Sequence, residues 1–173
     1  MTINGIPLHP LIVHAAVVLV PLAALFATAY AVLPSRRWQT RTPAVVLAVV
    51  AAVSVWLAAA TGDSLKSRLH EDTSLIQTHE HWAGLLQAAT WVLAALVVVA
   101  WWSLPHHNPL PDKDHKEGVT TLAKPLVVLL PMAAVTVLVL VVLTGDAGAR
   151  AVWGSTGRDS GSAPALSSVA APR

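Results

Sequence analysis

Two short stretches hold the residues best able to do chemistry: Leu8-His9-Pro10-Leu11-Ile12-Val13-His14 and His79-Glu80-His81-Trp82-Ala83-Gly84. Each opens a long apolar run. His14 lies about one helical turn inside its run, which has no other ionisable group. Ionisable side chains at membrane depth face a bundle interior or a cavity and have a partner. The expected partner is His81, which shares a helix face with Gly84, Ala88 and Trp91; Gly84 would let a flat group or another helix come close. His79 is two residues from His81, about 200° around a regular helix, so only one of the pair points inward, and the expectation is His81.

Two membrane histidines on different helices suit the axial ligation of a b-type haem: neutral imidazoles bind the iron and apolar helices enclose the ring. On this reading the cofactor-binding residues are His14 and His81, with His9, His79 and Gly84 beside them and Arg150 at the water boundary for a propionate. A second chemistry is a divalent metal ion held by His9, His14, His81 and Asp63, a nitrogen and oxygen set suited to zinc, copper or iron. A third reading is structural, with each histidine bonding a carbonyl or hydroxyl of the next helix. The chain has no cysteine, which excludes disulfides, thiolate metal sites and covalent haem attachment. A hydrolase lacks an identifiable nucleophile, base and orienting group. A transporter lacks the wide polar stripe that its path would need.

The elements that position these residues follow from composition. The chain has 173 residues, of which 55% are hydrophobic and 12% charged, and its mean hydropathy is +0.63. A soluble domain averages about 25% charged residues, so this chain belongs in a bilayer. Four runs, about 11–33, 43–61, 82–104 and 125–144, each reach the roughly 20 residues needed to cross the hydrocarbon, and none contains Lys, Arg, Asp or Glu. Thr42-Pro43 and Lys124-Pro125 read as helix starts, and Thr61-Gly62 and Thr144-Gly145 as helix stops. The expected fold is all-α, a four-helix transmembrane bundle in a domain spanning 1–153, with a flexible Gly-, Ser- and Pro-rich tail over 154–173. A net charge of +2 without a basic block excludes nucleic-acid binding.

An internal repeat refines this. Pro43-Ala-Val-Val-Leu47 matches Pro125-Leu-Val-Val-Leu129, and Ala51-Ala-Val-Ser-Val55 matches Ala133-Ala-Val-Thr-Val137, both 82 residues on; Thr61-Gly-Asp63 matches Thr144-Gly-Asp146, 83 on. The bundle is therefore read as two tandem helical hairpins with both termini on one side. That side gathers His9, His14, His70, His79 and His81 with Asp63, Glu71, Asp72, Glu80 and Asp146. The opposite connectors carry Arg36, Arg37, Arg41, Lys113, Lys116 and Lys124, against Lys66, Arg68 and Arg150 near the spans on the histidine side. Basic connectors stay cytoplasmic, so the histidine side and both termini are expected outside the cytoplasm of an inner membrane. Asp63 with Lys66 and Asp146 with Arg150 are spaced for local ion pairs.

Gly5-Ile-Pro-Leu-His-Pro-Leu-Ile-Val-His14 resembles the HPxxVH opening of a bacterial membrane family known as domain of unknown function 2231. The similarity continues through the glycine after the second span, a histidine at the start of the third, and Gly145-Asp-Ala-Gly-Ala-Arg-Ala-Val-Trp-Gly154, covering about 3–154. Family members often carry a proline shortly after the second histidine, where this chain has Ala15-Ala-Val before Pro21. The resemblance implies fold and membrane location and no activity. The function expected from the residues is a b-type haem-binding electron-transfer or redox-partner subunit. The alternatives are a non-catalytic membrane scaffold or partner-binding subunit and a divalent-metal or proton-handling protein. Expected partners are the lipid bilayer and a redox partner or a second copy of the chain.

Overall fold

The structure is a computed structural model that describes residues 2–3, 6–69, 74–104 and 122–153. His70, Glu71 and Asp72, the connector holding His106, His107, Lys113, His115 and Lys116, and the tail after Trp153 lie outside the described residues. Thr2–Ile3 pairs antiparallel with Ile6–Pro7. Four helices follow: α1 over Leu8–Val32, α2 over Arg37–Leu69, α3 over Ser74–Ser103 and α4 over Ala123–Trp153, with a 3₁₀ turn at Pro34–Arg36 between the first two. All four are long and apolar enough to cross a membrane. Packing is most extensive within the α1–α2 and α3–α4 hairpins, which meet through α1–α4 and α2–α3. Helices α1 and α3 therefore stand on one diagonal of a four-helix bundle, and α2 and α4 on the other.

The repeat is visible in the core. On α2 and α4 the buried residues pair at an offset of 82: Ala44 with Leu126, Ala48 with Leu130, Ala52 with Ala134, Val55 with Val137. On α1 and α3 they pair at an offset of 70: Ala16 with Leu86, Val20 with Thr90, Ala23 with Leu93, Ala27 with Val97, Tyr30 with Ala100. In a bilayer, lipid is as apolar as leucine, so close packing holds the helices together. The alanine-lined α1–α2 seam supplies it through small side chains. Two equivalent positions touch across the diagonal, where the Tyr30 hydroxyl donates to Ala100 O at 2.9 Å.

That contact lies at the arginine end of the bundle. The last carbonyls of a helix lack intrahelical partners, and Arg37 satisfies two of them: Nε–H donates to Tyr30 O at 3.2 Å and Nη2–H to Ala31 O at 3.1 Å. The guanidinium of Arg41 lies 3.8 Å from the ring centre of Trp101. Two arginines read from sequence only as topology signals thus also fasten the hairpin turn and tie α2 to α3.

The expected helix stops are not observed. Helix α2 continues through Thr61-Gly62-Asp63 to Leu69, and α4 through Thr144-Gly145-Asp146 to Trp153. A glycine inside a helix costs only about 1 kcal/mol relative to alanine, too little to end a helix whose neighbours pack.

Candidate functional site at the histidine end

The start of α1, the end of α2, the start of α3 and the end of α4 meet at one end of the bundle. His9 donates from Nδ1–H to Ala58 O on α2 at 2.9 Å, with Thr61 Oγ1 at 3.4 Å. His79 donates from Nδ1–H to Thr144 O on α4 at 3.0 Å. His9 and His79 are separated by 70 residues, the offset that relates the buried faces of α1 and α3. The histidines are thus equivalent members of the repeat.

Each ring rests on a glycine. A helical carbonyl at i is normally covered by residue i+4, whose N–H it accepts; for Ala58 that residue is Gly62, and for Thr144 it is Gly148. A Cβ on Gly62 would stand 3.2 Å from Cε1 of His9, and one on Gly148 would stand 3.1 Å from both Cε1 and Nδ1 of His79. Gly62 is therefore a seat for an imidazole. Its partner in geometry is Gly148, whereas the sequence repeat aligns it with Gly145, where a Cβ would meet nothing within 4 Å.

The bonds fix the proton on each ring. A carbonyl oxygen only accepts, so Nδ1 carries the hydrogen, and the neutral imidazole keeps its lone pair on Nε2. This is the arrangement in which a carbonyl on Nδ1 orients a histidine for ligation through Nε2. The two rings are carried by diagonal helices of the bundle.

The other sequence-selected residues are placed differently. His14 is exposed and bonds within its own helix, Nδ1 to Pro10 O at 2.6 Å. His81 is also exposed, edge-on to Trp82 with centroids 5.3 Å apart. The inward histidine of α3 is therefore His79, reversing the expectation for His81. Gly84 is exposed, with nothing within 4 Å of an added Cβ, so no helix comes close there. Asp63 is exposed. Among the described residues no three His, Cys, Asp or Glu side chains group to hold a metal ion, so His9, His14, His81 and Asp63 do not converge. The pair Asp146–Arg150 forms as spaced, at 2.9 Å. Lys66 bonds Glu80 on α3 at 2.9 Å, tying the hairpins together beside His79.

The buried core stops short of these rings. It ends at Ala16, Val55, Leu86 and Val137; from there to the histidine end, about 10 Å or two helical turns along α1, Ala147 is the one buried residue among those described. On the flank between α3 and α4 is a cleft of about 260 Å³ with Leu75, Thr78 and Trp82 on one wall and Leu143, Asp146, Ala147 and Arg150 on the other.

Four membrane-length helices in two repeated hairpins, joined at one end by histidine-to-carbonyl bonds, define a multi-span membrane protein. The chain belongs to the predicted membrane protein family DUF2231, whose family model matches residues 5–159. No curated protein and no solved structure matches it.

Proposed function

We propose that this protein is a b-type haem-binding, electron-transferring subunit of the bacterial inner membrane, in which His9 and His79 would hold the haem and the histidine end faces outward. The observation that carries this reading is the pair of Nδ1–H to carbonyl bonds, which leaves each Nε2 with a lone pair on diagonal helices of one bundle. The donor set narrows the ligand class. A bare zinc or copper ion takes three or four protein donors; among the described residues no third His, Asp or Glu joins the two imidazoles, and a haem would need no third protein donor. A haem held there would supply one-electron chemistry.

The chain's own residues do the positioning. Ala58 and Thr144 carbonyls hold the ring orientations, and Gly62 and Gly148 let the rings approach. The test is the visible spectrum of protein purified from a haem-replete host. A Soret band lost in His9→Ala and His79→Ala but kept in His14→Ala and His81→Ala is the expected result. A protein with no Soret band refutes the haem reading. One observation favours a second reading: both histidines already make satisfying interhelical bonds, as they would in a non-catalytic scaffold. In that case the same substitutions lower stability and change no cofactor content.

A further inference from the structure

The α3–α4 cleft lies on the flank of the bundle and is lined by neither His9 nor His79. Its walls are apolar, formed by Leu75, Trp82, Leu143 and Ala147, while Asp146 and Arg150 bring opposite charges to it. Their side chains are 55 % and 71 % exposed, and an ion pair this exposed contributes little to folding. Most of its hydrogen-bonding capacity is turned outward. The bond to Asp146 Oδ2 uses only Nε–H of Arg150, so the four N–H groups of the terminal nitrogens stay available to an oxyanion. Asp146 keeps its other oxygen for a donor. The Thr78 hydroxyl hydrogen goes to Ser74 O at 2.8 Å, leaving the Thr78 oxygen as a further acceptor.

We propose that this cleft binds a phospholipid with a primary-ammonium head group, of the phosphoethanolamine class. Its position at the ends of two membrane-length helices puts it at head-group depth, and Trp82 on its wall is a residue type enriched at that depth. A volume of about 260 Å³ is below the roughly 300–1,000 Å³ of sites that enclose a drug-sized ligand; it suits a head group whose chains stay in the bilayer. Arg150 takes the phosphate, and the ammonium donates to Asp146 and Thr78. An anionic head group without the ammonium would give its phosphate to Arg150 but bring no cationic donor to Asp146. A choline head group has no N–H to donate.

Arg150 is held in this cleft by Asp146 and is not assigned to a haem propionate, so the test is unaffected by the fate of the haem reading. Native mass spectrometry of the full chain, after exchange into micelles with equal amounts of phosphatidylethanolamine, phosphatidylcholine and phosphatidylglycerol, reads lipid retention directly. Ethanolamine lipid is retained about fivefold or more over the other two, the discrimination expected of one charge-assisted hydrogen bond at an exposed site. Asp146→Asn and Arg150→Gln each abolish that preference, and so does Thr78→Leu, which fills the cleft without touching the charges. Lys66→Gln, outside the cleft, leaves it intact. Helicity measured on each variant confirms the fold. Equal retention of ethanolamine and choline lipids, a preference for the glycerol lipid, or a preference that survives all three cleft substitutions overturns the proposal.

Discussion

If an imidazole reaches its carbonyl only because residue i+4 is glycine, alanine at Gly148 and alanine at Gly145 must behave differently. Both glycines are in the interior of α4, where replacing glycine by alanine stabilises a helix by about 0.5–1 kcal/mol. At Gly145 the new Cβ meets nothing within 4 Å, so the full gain is expected. At Gly148 it lies 3.1 Å from two ring atoms of His79, so the ring must retreat by a few tenths of an ångström and its 3.0 Å bond to Thr144 O weakens or breaks. An interhelical hydrogen bond in a membrane is worth about 0.6 kcal/mol on average and up to about 1.7. The loss offsets most or all of the propensity gain, and since that gain is common to both sites the two variants should differ by the worth of the bond, about 0.6–1.7 kcal/mol. Denaturant titration of helicity in mild detergent measures this, with His79→Ala backgrounds as control: there the two glycine substitutions should become equivalent. If Gly148→Ala stabilises as much as Gly145→Ala in the native background, the glycine seat has no part in holding His79.

Two further predictions concern the arginine end. Tyr30→Phe removes the hydroxyl bond to Ala100 O, but that carbonyl still accepts from Leu104 N–H at 2.8 Å, so the loss should stay near 0.5–1.5 kcal/mol in the same titration. Arg37→Leu strips two carbonyls at the end of α1 of their donor and should cost more, about 1–3 kcal/mol for each group left unsatisfied; a loss below that of Tyr30→Phe would contradict the capping role.

Four spans, their hairpin pairing and the 82-residue repeat were legible from sequence because hydropathy and proline placement report them directly. The 70-residue register of α1 and α3 was not, since it matches burial across unlike residues such as Ala16 and Leu86 or Tyr30 and Ala100. It held the missing signal for the site. His9 precedes Ala16, and His79 precedes Leu86, by the same seven residues, two turns along the buried face, whereas His14 and His81 are out of phase with those faces. Starting the third span at Trp82 hid this, because the helix begins at Ser74 and the polar turns from Ser74 to His81 carry no apolar periodicity. Gly62 was misread for a related reason. Glycine after threonine reads as a stop in sequence, and only the ring packed on it shows why the helix has no side chain there.

On the proposed reading His9 and His79, rather than another histidine pair, hold the haem. Titrating haemin into cofactor-free protein and following the Soret band tests it most directly. Wild-type protein and the His14→Ala/His81→Ala variant should each saturate at one haem per chain, while His9→Ala/His79→Ala should not bind. Saturation of the His9→Ala/His79→Ala variant, or no binding by wild-type protein, would contradict the account and leave the two bonds as structural fasteners between helices.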